Sequence, residues 1–239
     1  MPAKPRRRIR KLRLFGLILI LFVLGLVSFT FGLVSGIASG IGTFDPASRA
    51  KQEVDGYIYA GKPSTRVLAV LRGSQSRIIV SSSQISGRMK QAIVAVEDKR
   101  FYEHRGVDLR AIGRAVWEDV RNKRVVEGGS TITQQFVKNT STKNQHSIAR
   151  KLREAALAWQ LEQRWSKDRI LTAYLNTIYF GNGAYGVEQA AQTYFHHSAA
   201  PGKLTLAEAA LLAGIPEDPA AYDPATNQDA ARERRNVVL

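Results

Sequence analysis

The sequence has no cysteine and only four histidines among its 239 residues. A disulfide, a thiolate nucleophile and a cysteine-built metal site are therefore excluded, and redox chemistry says nothing about compartment. No second histidine stands at metal-ligand spacing from His104, and His196-His197 is isolated, so a protein-built zinc site is not expected. Acidic residues are also scarce, 20 against 35 Lys and Arg, for a formal net charge of +15. Such an imbalance suits a polyanionic partner: nucleic acid, anionic lipid headgroups or a phosphate-bearing substrate. No internal repeat is present, and this length accommodates one compact domain with appendages.

The charge is unevenly placed. Residues 1–13 carry seven basic side chains (Lys4, Arg6, Arg7, Arg8, Arg10, Lys11, Arg13) and no acid. Leu14 to Ala38 follows without a single charge, rich in Leu, Ile, Val, Phe and Gly, with Ser28, Thr30 and Ser35 as its only polar side chains. At about 1.5 Å per helical residue it reaches roughly 37 Å, enough to cross a hydrocarbon core. A cleaved signal peptide would have a shorter apolar region, about 7–15 residues, although Ala38-Ser39-Gly40 leaves cleavage open. The positive-inside bias keeps the basic tail in the cytoplasm and puts everything after residue 40 outside. Nucleic acid is then no longer an expected partner.

Residues 39–85 read as a juxtamembrane linker. Within it Val67–Leu71 and Arg77–Val80 flank Gly73-Ser74-Gln75, which predicts a β-hairpin. Ser48-Arg49-Ala50-Lys51 matches the Ser-x-x-Lys of penicillin-reactive enzymes, but no Ser-x-Asn or Lys-Thr-Gly follows, so the match is coincidental. From residue 86 the period turns helical. Ser86 caps a helix with Met89, Ala92, Ile93 and Val96 on one face and Glu97 at its end. Asp108 caps a second, with the stripe Leu109, Ile112, Val116, Trp117 and Val120. Thr131-x-x-Gln134 is a capping box opening a third. A fourth, from Ser147 to about Arg164, has Ile148, Leu152, Ala155 and Trp159 on one side and Leu157 and Leu161 on another, which predicts a central helix. Ser166 caps a fifth through Ile178, a sixth covers about Val187–Phe195, and Thr205-x-x-Glu208 opens a seventh. A last basic helix runs from about Gln228 to Leu239. The expected architecture is one mainly α domain over 86–239, preceded by a basic tail (1–13), a single transmembrane helix (14–38) and the linker with its hairpin.

Three blocks concentrate the polar chemistry. Glu97-Asp98 ends an apolar helix beside a turn containing Phe101, His104 and Gly106. A carboxylate pressed on apolar surface has its charged form disfavoured, which suits proton transfer near neutral pH; a solvated acidic pair at a helix end fits the same residues. His104 reads as a base or as a hydrogen-bonded strut. Gly128-Gly129-Ser130-Thr131-Ile132-Thr133-Gln134-Gln135 gathers hydroxyls, amides and backbone N–H groups at a helix start, a suitable cradle for a sugar or phosphate oxygen, with Lys138 one turn on. Arg150, Lys151 and Glu154 share a helix face. They are either a surface ion pair worth about 0.3–0.5 kcal/mol or a second carboxylate flanked by diphosphate-binding cations.

Taken together, these blocks resemble the peptidoglycan glycosyltransferase family, found in class A penicillin-binding proteins and monofunctional cell-wall glycosyltransferases. Glu97-Asp98-x-x-Phe101-x-x-His104-x-Gly106 matches the family's first motif, Gly129 to Gln135 its second, and Arg150-Lys151-x-x-Glu154 its third. Lys167-x-x-Ile170-Leu171-x-x-Tyr174-Leu175-Asn176-x-x-Tyr179-Phe180-Gly181 with Gly183-x-Tyr185-Gly186 looks like the fourth, and Ala207-Glu208-x-Ala210-x-Leu212-Ala213-Gly214 like the fifth. Five motifs in order, over about 86–239, make the resemblance specific.

The resemblance implies a lysozyme-like fold that polymerises lipid II on the outer face of the bacterial cytoplasmic membrane. Glu97 would be the base for the acceptor's 4-hydroxyl, with inversion at the donor's anomeric carbon to give a β-1,4 link. Glu154 would assist departure of the polyprenyl diphosphate, directly or through a divalent cation (Mg or Mn), with no organic cofactor. Ser130, Thr131, Gln134, Gln135, Lys138, Arg150 and Lys151 would line the donor region, and Asp98, Phe101 and His104 would support the catalytic turn. Lipid II, the growing lipid-linked glycan, the membrane and other cell-wall synthesis proteins are the partners it implies. The chain stops inside a helix where class A proteins continue into a transpeptidase domain, so a part of a longer protein is expected over a monofunctional enzyme. A lysozyme-like hydrolase and a non-catalytic scaffold are the competing readings.

Overall fold

The computed structural model describes residues 11–39, 56–59, 67–71, 76–122, 129–140 and 148–239. It divides into two compact units, Met1–Phe44 and Asp45–Leu239. The first contains a 29-residue helix, α1 (Lys11–Ser39). Its apolar side chains from Leu14 to Phe29 are exposed, with Phe15, Phe22 and Phe29 each about two-thirds accessible. Among the described residues, no helix is long and apolar enough to cross a membrane.

The second unit is mainly helical. Its described helices are α2 (Gly87–Glu97), α3 (Leu109–Asn122), α4 (Ile132–Thr140), α5 (Ile148–Arg164), α6 (Lys167–Thr177), α7 (Val187–Phe195), α8 (Leu206–Gly214) and α9 (Gln228–Val238). Most begin where local side-chain chemistry says they should. Asp108 accepts the Ala111 N–H at 2.9 Å, and Ser166 accepts that of Arg169 at 3.3 Å. Thr205 and Glu208 form a reciprocal box at α8, with the Thr205 N–H donating to Glu208 and the Glu208 N–H to the Thr205 hydroxyl. Thr205→Ala removes one arm of that box; a loss of about 1 kcal/mol, read as a melting point about 2–4 °C lower in a domain of this size, is the expected outcome.

The core lies around α6, whose Ile170, Leu171, Tyr174 and Leu175 are fully buried, each such side chain contributing about 1.5–3 kcal/mol. Helix α4 packs on α5 and α6, while α8 packs on α2 and α9. On α2, Met89, Ala92, Ile93 and Val94 face inward, and Val96 is only half-buried.

Two expectations are corrected. Strand β2 (Val67–Leu71) does not pair with 77–80. It pairs antiparallel with β1 (Gly56–Tyr59), in a stretch expected to be featureless, in the register Gly56 to Leu71 and Tyr57 to Val70. Strand β3 (Ser76–Arg77) pairs in parallel with β4 (Ala184–Tyr185), and Asn176 holds the following residues by donating to Val80 O and accepting from Val80 N. The turn residues 72–75 lie outside the described residues. Secondly, α5 is buried on one face only. Leu157, Ala158 and Leu161 are inside, whereas Leu152 and Trp159 are exposed, because seven-residue spacing puts both on the opposite side. On α3, Leu109 is 77 % and Trp117 69 % exposed.

Candidate active site

Glu97 is the last residue of α2, and Asp98 is its C-cap. The Asp98 carboxylate is buried. It accepts the Ile132 N–H, the first of α4, at 3.1 Å, and lies 2.9 Å from His104 Nε2. Asp98 therefore satisfies an orphan donor at the α4 N-terminus, where the helix dipole favours its charge. His104 braces that carboxylate. Phe101 is fully buried beneath the turn, with Lys167 Nζ 4.5 Å above its ring. Lys167 in turn pairs with the Glu162 carboxylate at 2.7 Å, which also accepts from Thr133. The three residues expected to support the turn are all placed to do so.

The second block meets the first through three contacts. The Thr131 hydroxyl donates to Gly106 O at 2.7 Å, Asp98 holds the Ile132 N–H, and Gln135 Nε2 donates to Glu97 Oε2 at 2.7 Å. Thr131 and Gln134 are buried and close the expected capping box on each other, Thr131 N–H to Gln134 Oε1 at 2.9 Å and Gln134 N–H to Thr131 Oγ1 at 3.2 Å. Their polar atoms thus serve the helix end. Ser130 accepts from Lys151, while Lys138 is exposed on α4.

The third block meets the second through Lys151. Glu154 is 4 % exposed, 3.0 Å from Arg150 Nη1 and 4.0 Å from Lys151 Nζ. It is not a solvated surface partner. An ionised carboxylate at that depth has to be balanced by its two cations. Lys151, about half exposed, bridges Glu154 to Ser130. Gly106 lies so near α5 that a Cβ on it would sit 2.6 Å from Trp159 N.

Burial, the largest influence, pushes the Glu97 carboxyl above the ordinary range; the Gln135 hydrogen bond and the Arg234 charge pull it back, and Glu217 and Asp98 push it up. Arg234 and Glu217 were not singled out in the sequence. Arg234 comes from α9, pairs with Glu217 at 2.9 Å, and reaches its place because Gly214 has no side chain; a Cβ there would meet Arg234 Cγ at 2.8 Å. In the sequence only that glycine hints at the close approach.

Glu97 opens onto a polar cleft of about 230 Å³ lined also by Lys99, Arg100, Asp108, Arg114, Ser130 and Thr131. Arg100 is paired with Asp108. The arrangement offers a desolvated carboxylate for proton transfer in a polar cleft whose walls also bear Lys99 and Arg114. Glu154 is engaged by two cations, and among the described residues no group of three or more His, Asp or Glu is placed to hold a metal by itself.

Residues 64–239 match the family model described as Transglycosylase. The chain is 42 % identical over 224 residues to Penicillin-binding protein 1A/1B of Bacillus subtilis (strain 168), covering 93 % of this chain and 24 % of that protein. It is 46 % identical over 167 residues to Penicillin-binding protein 1A of Neisseria flavescens, covering 70 % of this chain and 21 % of that one. The crystal structure of Penicillin-Binding Protein 1A from Haemophilus influenzae overlays on 78 % of this chain and 17 % of its own, at 25 % identity and a TM-score of 0.41. The chain spans about a quarter of the length of the curated relatives it matches.

Proposed function

Because the chain belongs to the transglycosylase family, we propose that it polymerises lipid II into β-1,4-linked glycan, with its helical unit adopting the family's lysozyme-like fold. The observation that carries this reading is Glu97: desolvated, held by Gln135, and facing a polar cleft that Lys99 and Arg114 also line. In the proposed step Glu97 takes the proton of the acceptor's 4-hydroxyl as that oxygen bonds to the donor's anomeric carbon. The bond from that carbon to the diphosphate breaks on the opposite face, giving inversion, and the polyprenyl diphosphate leaves. Proton removal by a positioned carboxylate contributes about 10²–10⁴-fold, and the departing charge is met by fixed cations. Those cations are Arg150 and Lys151, and buried Glu154 holds both in place.

The exposed apolar surface of α1 behind a basic tail supports a single-pass anchor in the cytoplasmic membrane, with the catalytic unit on the outer face. The exposed Leu109, Ile112 and Trp117 of α3, with Arg110, Arg114 and Arg121 on the same helix, support contact with the headgroups. Neutralising those three arginines is expected to reduce binding of the anchorless unit to anionic liposomes; unchanged binding would remove α3 from the contact.

The test of the activity is incorporation of labelled lipid II by the protein in detergent, with and without divalent cation. Polymer that lengthens with time is expected. Shortening of preformed glycan would favour a hydrolase, and no product from folded protein would favour a scaffold.

A further inference from the structure

The fourth sequence block contains Tyr174, whose side chain is completely buried on α6 and so is closed to any substrate. A phenylalanine would fill that space equally well. Yet the Tyr174 hydroxyl lies 2.9 Å from Gln135 Oε1, and the same amide's Nε2 lies 2.7 Å from Glu97 Oε2. Among the described residues no donor reaches the other oxygen, Glu97 Oε1.

We propose that Tyr174 is a positioning residue, which through the Gln135 amide ties down one oxygen of Glu97 and leaves the other to take the acceptor's proton. This rests on the reading of Glu97 as the base.

The chain of hydrogen bonds has one solution when Glu97 is ionised. A carboxylate only accepts, so the amide must turn its NH₂ toward Glu97. Its carbonyl oxygen then faces Tyr174, which must donate. Burial, followed by the charges of Glu97 and Asp98, pushes the Tyr174 phenol well above its ordinary value, so it stays protonated and remains a donor at every working pH. Without that hydroxyl only the charge on Glu97 orients the amide. Once Glu97 takes a proton Gln135 can flip, its carbonyl accepting from the acid, which favours the protonated form and disables the base. A bond through a polarised amide is also strengthened by its neighbour, so the hydroxyl acts on Glu97 from two bonds away. The other charges facing Glu97 are Arg234 from α9, Glu217 from the turn after α8, and Asp98; none touches the amide, so they stay constant when Tyr174 is changed.

The experiment compares the parent, Tyr174→Phe and Gln135→Met in two readouts. One is the titration of the Glu97 carboxyl carbon by NMR in protein carrying ¹³C-labelled glutamate, the resonance assigned by its loss in Glu97→Gln. The other is the pH dependence of kcat and KM for lipid II polymerisation. In both variants the Glu97 midpoint is expected to move up. At neutral pH kcat is expected to fall on the order of tenfold with KM within about twofold, and activity to recover as pH rises. A role confined to packing would lower the melting point and leave the midpoint where it was. An unmoved midpoint in folded Tyr174→Phe overturns the inference, even if the parent polymerises lipid II. A moved midpoint in a protein that makes no polymer upholds the relay and removes the transferase reading. Should Tyr174→Phe fail to fold, 3-fluorotyrosine at position 174 alone keeps the ring and donates more strongly; a downward midpoint is then expected, and no movement overturns the proposal.

Discussion

Replacing Glu97 by Gln is expected to abolish measurable polymer formation, a fall of about 10²–10⁴-fold, the range for losing a positioned general base. The substitution is nearly isosteric, and the new amide oxygen can still accept from Gln135 Nε2, so the wall of the cleft is preserved. Only the capacity to take a proton is lost. Equal polymer from both proteins would remove Glu97 from the chemistry. The pH profile of the parent follows from the same group. The base works when ionised, and burial raises its carboxyl above the ordinary carboxylate range. Activity should therefore fall as pH falls through a value above that range, so the acid limb lies at higher pH than for an exposed glutamate. The sign for stability is opposite. A folded state that holds this proton more tightly than the unfolded chain gains stability as pH falls, and at neutral pH its ionised carboxylate works against folding. Glu97→Gln is thus expected to melt no lower than the parent, which separates lost chemistry from lost fold in a thermal scan.

The largest stability effect is expected at Gly106. Its φ of +82° is costly for an L side chain, and an added Cβ would lie 2.6 Å from Trp159 N and 2.7 Å from Ala158 C and O. These are backbone atoms of α5, so no rotamer change relieves the overlap. The Gly106 carbonyl also accepts from Thr131, so moving it away loosens the N-terminus of α4. Gly106→Ala should cost about 3 kcal/mol or more, a melting point lower by about 6–12 °C for a unit of this size, measured by differential scanning calorimetry. A drop below about 3 °C would show that α5 yields. The substitution should also lower activity, since Gly106 joins the turn after Glu97 to the helices bearing Gln135 and Glu154.

Much of the site was legible before any coordinates, for a local reason. Asp108, the Thr131–Gln134 pair, Ser166 and the Thr205–Glu208 box all act across three residues, a distance the chain itself sets. The same locality explains what was misread. Ser130, Thr131 and Gln134 were expected to converge on a substrate, but Thr131 and Gln134 first satisfy their own helix end, and the hydroxyls of Thr131 and Ser130 meet the other two blocks, at Gly106 and Lys151. Glu154 read equally well as a surface pair, because a spacing of four residues says which side chains share a face and nothing about whether that face is covered.

By itself, then, the sequence determined where the helices of the second unit begin, which blocks bear carboxylates and cations, and the family to which they belong. Those are properties of near neighbours in the chain and of residue identity. Tertiary structure decided the rest: that β2 pairs with β1 and β3 with a strand more than a hundred residues away, that Leu152 and Trp159 stay outside, and that Tyr174 reaches Glu97 through Gln135. Strand partners are set by backbone groups that every residue carries alike, and burial by what packs opposite. Neither is written at the position it governs, so both appear only once the chain has closed on itself.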